Sequence, residues 1–582
     1  MEKDGKLEKI RHSLSHLMSM AVQELYPQVG LGVGPAIDDG FYQDYDLPET
    51  ISPEILPRLE KRMREMIKEN IEFKQHDVNY DEAYKFYRHD PYKTGFIDDL
   101  KATGEKKVSF YKSGWFDNLC AGPHIGSTKE INPKAFKLDR IAGAYWRGDE
   151  KNKMLTRIYG LAFETKEELE AYIKQCEEAE KRDHKKLGKE LGLFTVSNLV
   201  GKGLPMYLPK GNIIKTELEN FIRKEKEKLG YSFVTIPHIA RKELYIKSGH
   251  MGKYDAMMPT MIDENGEEFV MKAMNCPHHF EIYNAEPHSY RDLPLRIAEN
   301  TTVYRNEKSG ELAGLLRVKN LTQDDTHHFI RTDQIESEIE MIFGLTQKVY
   351  NLFGFNDYKV EISIRDPLNK EKYFGNDEVW EKAEGILVKS AKKMGLKYSI
   401  EEGEAAFYGP KIDIKVKDSI GREWQLTTIQ LDFNQPENFE MDYTGEDGKK
   451  HRVVVLHVAI LGSFERFIGI LIEHYAGAFP LWLAPIQVKI VPVRTNHNEY
   501  AKQVFELLKE NNIRAELDDV EANLGGKVRD AKNNKLPYWI VVGDKEIEAK
   551  KVTLESRDAG QLGQIGKEEL VKKLLEEIGS KK

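Results

Sequence analysis

Apolar residues recur three and four positions apart near the start of the chain, at Leu14, Leu17, Met18, Ala21 and Leu25. That spacing predicts a helix with one apolar face, and it puts His12 and His16, four apart, on a common side. Residues 164–190 are mostly charged, with Glu and Lys three and four apart, and predict a solvated connecting helix. A helical period returns over 212–230. Strand-like runs then cluster at 359–364, 411–416, 423–433 and 452–461. Helices followed by clustered strands predict an α+β block built on an antiparallel sheet. Beyond Pro485 the pattern changes to short alternations of strand and helix, the signature of a small α/β domain with βαβ units. The expected division is 1–163, a linker helix over 164–191, a central block over 192–483, and a C-terminal domain over 484–582.

The most apolar stretch, 467–486, carries Glu473 and His474 in its first half and Pro480 and Pro485 in its second. It reads as a buried helix followed by a turn, not as a membrane span. With 582 residues the chain is too long for one core. It shows no internal repeat. The first ten residues have no apolar core, so no secretory signal is expected. Three widely spaced cysteines cannot build a disulfide framework and fit a cytoplasmic location, where a Cys near His is a ligand or a reactive group. The net charge of −9 disfavours a protein that coats nucleic acid, though local basic patches can still bind RNA.

Four groups of residues carry candidate chemistry. His12 and His16 on the helix and Cys120 and His124 across a Gly-Pro turn make four ligand-type side chains from two segments. They suit a zinc site or a hydrolytic pocket that positions water; the alternative is a helix-face His pair and an unrelated buried Cys. In 301–329, Arg305 and Glu307 are two apart, which in a strand puts them on one side, and Arg317 follows a flexible loop. Two arginines at the ends of a hairpin can bracket a triphosphate, or they can simply form surface ion pairs. Arg466 stands at a helix start just after Gly462, which permits close approach of chain or ligand. Finally, Cys276 lies two and three residues before His278 and His279, either a metal cluster or a small apolar residue beside two imidazoles.

These segments resemble known families. His12-x3-His16, "GPAIDDGFYQDYD", "CAGPH" and "AGAYWRGDEKNKMLTRIYGLAF" are similar to the editing domain shared by threonyl- and alanyl-tRNA synthetases. "YSFVTIPHI", "YRNE" and "GSFER" resemble motifs 1, 2 and 3 of the class II aminoacyl-tRNA synthetases. "MNCP", "QDD.H" and "H.AILGS" resemble the threonyl branch, and the likeness runs over nearly the whole chain. The C-terminal domain is similar to the anticodon-binding domain of the threonyl, prolyl, histidyl and glycyl group.

The resemblance implies an α+β multidomain enzyme that joins threonine to tRNA(Thr) with ATP and hydrolyses mischarged seryl-tRNA(Thr). It implies one zinc ion held by Cys276, His327 and His457, and magnesium with ATP. It places Arg305, Glu307, Arg317, Gln425 and Arg466 on ATP, with Lys411 near the α-phosphate. It gives threonine to Gln323, Asp325, Tyr408 and Gln430, and assigns His250 as the base for transfer. Editing falls to His12, His16, Lys93, Cys120 and His124, with Asn118 or its neighbour Asp117 where the family often has Asp. Lys527, Arg529, Glu546 and Arg557 are the anticodon candidates. A homodimer without a membrane segment is implied, and the ubiquitin-like domain common at the N-terminus of the family is expected to be missing. A non-catalytic RNA-binding paralogue, or a prolyl or seryl ligase, is disfavoured because the activation residues and the Cys/His/His set occur together.

Overall fold

The computed structural model describes residues 2–149, 151–418 and 421–581. The chain divides into two compact units, 1–177 and 178–582. In the first unit the long helix Glu2–Leu25 packs on a sheet of strands Gly30–Leu31, Gly40–Asp46, Met154–Ala162 and Phe136–Tyr145, in that order, with Ala36–Ile37 paired to Gly40–Asp46. A second sheet joins Phe73–Val78, Val108–Ser113 and Phe116–Leu119. The expected one-sided helix is in fact buried all round from Ser13 to Val22. Its buried serines make this tolerable. Ser13, Ser15 and Ser19 each donate a hydroxyl to a carbonyl of their own helix, at 2.8, 2.8 and 3.0 Å, so no serine hydroxyl is stranded.

The connector departs from expectation. It is two helices, Lys166–Arg182 and His184–Glu190, broken at Asp183, whose carboxylate caps the second by accepting from Lys185 N (2.7 Å) and Lys186 N (3.1 Å). The second helix is not a solvated surface: His184 and Leu187 are buried.

The second unit is organised by an eight-stranded sheet in the order Ser232–Phe233, Leu295–Tyr304, Asn320–Ile330, Val454–Ala459, Glu423–Asp432, Lys411–Lys417, Tyr358–Ile364, Tyr398–Glu402. Pairing is antiparallel throughout except at the two edges. One face packs on the helices Pro209–Glu227, Ile335–Phe353, Asp377–Lys393 and Phe464–His474 in one large apolar core. The other face is the floor of a cavity. The C-terminal region has the order Ala515–Leu517, Val488–Pro492, Tyr538–Val542, Lys551–Ser556, Gly560–Gly566, the first three parallel and the last two antiparallel. Among the described residues no helix is long and apolar enough to cross a membrane. The apolar 467–486 segment is the buried helix Phe464–His474 followed by turns, as its pattern predicts.

Candidate active site

Strand register assembles the central site. His327, His457, Gln430 and Lys411 come from four neighbouring strands and stand directly opposite one another in one transverse row. Two residues along the same face lies Asp325, and two further Gln323, because alternate residues of a strand share a face. The intervening residues point the other way. Asp324 meets Lys226 at 3.0 Å in a fully buried ion pair, and His328 meets Glu338 at 3.0 Å. Asp324 also accepts the amides of Ile460 and Leu461, both at 3.0 Å, and so fixes the turn that leads to Gly462 and Arg466. Gly462 has φ +75°, and a Cβ there would stand 2.7 Å from the Leu426 carbonyl.

Above this row is a cavity of about 340 Å³ whose walls include Met274, Asn275, Cys276, Arg305, Tyr408, Gln425, Ser463 and Arg466. Its two ends differ. At one, the Cys276 Sγ and a nitrogen of each of His327 and His457 lie within 4.8 Å of one another. The far ring nitrogens are engaged: His327 Nδ1 faces His279 Nδ1 at 2.8 Å, and His457 Nε2 donates to Asp432 at 2.9 Å. Each imidazole is thereby oriented with its other nitrogen toward the thiol, as second-sphere partners of a metal ligand do. Burial, together with Asp325 and Asp432, pushes the Cys276 thiol up, and burial holds His327 well below its usual range. A divalent cation among these groups would reverse the first effect and offset the carboxylates, so the donor set fits a metal of the zinc type. Thus the apparent cluster 276–279 is half real: His279 does not reach the thiol group but braces His327, and His278 is buried to one side.

At the other end the charge is positive. Arg466 donates to the carbonyls of Leu316 (3.0 Å) and Gln425 (2.8 Å), and its guanidinium is pushed down to about 10 by burial and by Arg305 and Arg317. Arg305 lines the cavity with its buried Nε unpartnered. Lys411 pairs with Asp413 at 2.5 Å, and Asp413 also accepts from Gln425 at 2.6 Å. Clustered guanidinium groups that lack counter-charges are stable only when an anion joins them.

Three expected residues are not on this cavity. The strand ends at Tyr304, so Arg305 and Glu307 do not share a strand face. Glu307 instead accepts from Arg317 (2.8 Å), which also pairs with Glu311 (2.7 Å). His250 is fully buried behind Tyr408 and Phe407, bonded to Ser248 at 2.8 Å, and burial with His457 and Arg305 pushes it down to about 3. Asn275, which donates to Asp325 at 2.8 Å, and Asp432 escaped the sequence reading. Only the register reveals Asp432, since nothing local marks one Asp at a strand end.

In the first unit, His12, His16, Cys120 and His124 do converge. His12 Nδ1 donates to the Pro123 carbonyl (3.3 Å). Ser13 gives its proton to Lys9 O and so accepts from His124 Nδ1 at 3.0 Å. Both Nε2 lone pairs therefore face the Cys120 sulfur, at 3.4 and 3.3 Å. Burial keeps His12, His16 and His124 neutral and pushes the Cys120 thiol up. Lys93, buried beside them, is pushed down to about 8. His12, His16, Lys93 and Cys120 border a cleft of about 780 Å³ with Asn118 on its wall. Asn118 accepts from Tyr87 at 2.9 Å, whereas Asp117, one residue back in the strand, faces away toward His76 at 3.3 Å. Neutral imidazole acceptors beside a cationic amine can orient water and take its proton.

The anticodon candidates are largely engaged elsewhere. Lys527 is buried and donates to Asp518 O (2.7 Å). Glu546 accepts from Gly543 N (2.9 Å) and Thr553 (2.8 Å). Arg557 donates to Phe479 O (3.0 Å) and Lys535 O (2.9 Å). Of the four, only Arg529 is exposed, because the others satisfy buried carbonyls and amides that the fold leaves open.

Residues 259–475 match the tRNA synthetase class II core domain (G, H, P, S and T), 487–577 an anticodon binding domain, and 108–159 the threonyl and alanyl tRNA synthetase second additional domain. The last match takes in Cys120 and His124 but not His12 and His16. A threonine–tRNA ligase of Deinococcus radiodurans is 49% identical over 94% of this chain and 85% of its own length. That of Thermus thermophilus is 48% identical over 97% and 87%. A crystal structure described as the RNA binding domain of threonyl-tRNA synthetase from Cryptosporidium parvum superposes with a TM-score of 0.65 at 34% identity, covering 68% of this chain and 98% of that one.

Proposed function

The chain belongs to the threonine–tRNA ligase family, and on that premise we propose how its residues divide the work. The central cavity activates L-threonine with ATP and magnesium to the adenylate and passes it to tRNA(Thr). The N-terminal cleft hydrolyses seryl-tRNA(Thr). The observation that carries the reading is the polarity of the central cavity, with a Cys/His/His set at one end and under-compensated arginines at the other.

In-line attack of the threonine carboxylate on the α-phosphate builds negative charge that preorganised cations stabilise. Arg305, with its unpartnered Nε, meets the α-phosphate and the carboxylate. Arg466, braced by Leu316 and Gln425, meets the outer phosphates. Lys411 adds charge beside them. Arg317 and Glu307 serve the nucleotide once Arg317 leaves its carboxylate partners. His250 can act in transfer only if Tyr408 and Phe407 part, since burial now keeps it from the cavity.

Cys276, His327 and His457 hold zinc, which supplies a Lewis-acidic position for an amine and a neighbouring hydroxyl. Asp325, kept in place by Asn275, accepts from the substrate ammonium group, and Tyr408, Gln323 and Gln430 enclose its side chain. An apolar pocket would separate threonine from isosteric valine by only about 100-fold. Serine presents the same two polar groups, so a second, hydrolytic cleft on the same chain follows from the chemistry of the first.

A homodimer in the cytoplasm completes the proposal. The segment after Tyr231 and its neighbours leave Ile239, Ile246 and Ile262 exposed, apolar surface that a second copy would cover. All three cysteines are free thiols, two of them among histidines, which a reducing compartment preserves. The test is threonine-dependent ATP–pyrophosphate exchange with valine and serine controls, followed by hydrolysis of seryl-tRNA(Thr). Exchange with threonine and serine but not valine is expected. Absence of exchange with threonine would overturn the assignment.

A further inference from the structure

The break in the connector places a buried dyad where neither motif nor activity accounts for it. His184 and Glu473 are both nearly inaccessible, at 2% and 3% side-chain exposure. His184 Nδ1 lies 2.8 Å from Glu473 Oε1, and the His184 amide is 3.4 Å from the same oxygen. A carboxylate can only accept here, so Nδ1 carries the proton and Nε2 keeps its lone pair. That lone pair accepts the backbone amide of Leu315 at 3.1 Å. No space separates the ring from the loop: a Cβ on Gly314, whose φ is +56°, would stand 2.2 Å from His184 Nε2.

Leu315 is the middle of the turn that connects the two phosphate-facing elements. Ala313 N donates to Arg317 O (3.1 Å) and Leu316 N to Ala313 O (2.8 Å), so the turn closes on itself. Leu316 O is the acceptor that seats Arg466 Nε, and Arg317 follows directly. Glu473 stands near the end of the same helix that begins at Phe464 and carries Arg466. The imidazole thus ties the turn before Arg317 to the far end of the helix that presents Arg466.

We propose that His184 is a positioning residue for nucleotide binding: by bonding Leu315 N–H and Glu473 together it sets the turn that orients Arg317 and Arg466. This rests on the reading of those arginines as ATP contacts. The dyad itself touches no substrate. Its effect is preorganisation, since an arginine displaced by a fraction of an ångström loses charge complementarity to a phosphate without any loss of fold. Asp183 contributes by capping the short helix and so delivering His184 at its first position. The same three residues group as acid and imidazole ligands, yet both ring nitrogens are already used by Glu473 and Leu315, which leaves no imidazole nitrogen for a metal.

The experiment is threonine-dependent ATP–pyrophosphate exchange by the full chain carrying His184→Ala, His184→Gln or Glu473→Gln, alone and with Arg317→Ala. His184→Ala should raise KM for ATP about tenfold and leave KM for threonine within about twofold. His184→Gln, whose amide can both donate to Glu473 and accept from Leu315, should recover most of that loss. In the Arg317→Ala background the His184→Ala effect should shrink to about twofold or less, because both act through one turn. Unchanged KM for ATP would overturn the proposal. So would parallel rises in both KM values with a fall in melting temperature, or full multiplicativity with Arg317→Ala. If His184→Ala does not fold, Glu473→Gln, which weakens the same tie from its other end, reads the split between the two KM values. Exchange that is absent from the unaltered chain would remove the ligase reading itself, a result distinguishable from failure of the variants alone.

Discussion

Lys93→Met should make the N-terminal unit more stable and abolish its hydrolytic function. Lys93 is 5% exposed, and its amine lies over Phe96 with 6.0 Å between Nζ and the ring centroid and is pushed from 10.5 down to about 8, mainly by burial. In the unfolded chain the lysine keeps its ordinary value. Below pH 8 both states are protonated, and the folded state bears the whole difference. At about 1.36 kcal/mol per unit, a difference of roughly 2.5 units is about 3 kcal/mol of destabilisation. Between pH 8 and 10.5 the folded state has lost its proton while the unfolded state retains it, so stability rises with pH across that window. Above it the penalty vanishes. Methionine keeps the unbranched stem and removes the charge. The substitution should therefore slow amide exchange of the Glu2–Leu25 helix about 100-fold at pH 7, by hydrogen exchange and mass spectrometry on the full chain. After correction for intrinsic rates, the advantage should fade as pH passes 8 and be gone near 10.5. Hydrolysis of seryl-tRNA should fall by about 100-fold or more, with threonine activation unchanged. Protection that is lowered by the substitution, or raised equally at every pH, would refute the argument, because either result means the amine is not held charged against its burial. A gain in stability with loss of activity is the usual signature of a strained functional group.

Lys226→Met leaves the fully buried Asp324 without its cation and should lower stability by about 3–5 kcal/mol in thermal unfolding, with Asp324→Asn in the same chain recovering part of it. Cys276→Ser should reduce bound zinc from about one per chain to near zero by atomic emission and cut threonine-dependent exchange at least about 10-fold, while ATP affinity stays within about threefold. Arg557→Ala should cost about 1–3 kcal/mol of unfolding free energy by stranding the Phe479 and Lys535 carbonyls, and should speed proteolysis near 479–487, with exchange activity unchanged. A specific loss of tRNA affinity without that loosening would restore Arg557 as an anticodon contact.

Much of this molecule was legible in the sequence. Periodicity alone separates the Glu2–Leu25 helix, the clustered strands of the centre and the βαβ-like C-terminus, because each period is fixed by backbone geometry. Motif resemblance named Arg305, Arg466 and the Cys276, His327, His457 set. What pattern could not supply is what happens across strands. That His457 meets Asp432 and stands between His327 and Gln430 depends on register, a property of pairing between separate segments of the chain. The charged connector shows the same limit. Its composition predicts solvated helix, and up to Arg182 that is what forms. Asp183 then caps a new helix and turns His184 into the core, where only the nearness of Glu473 and Leu315 makes a buried imidazole favourable. Likewise the resemblance offers Lys527, Glu546 and Arg557 as anticodon candidates, and the fold also engages each of them with its own amides and carbonyls. The sequence by itself determined which elements form and which residue types are available, since those are local choices. Only the tertiary structure decided which polar side chains remain free for a substrate, because that depends on what the rest of the chain has already claimed.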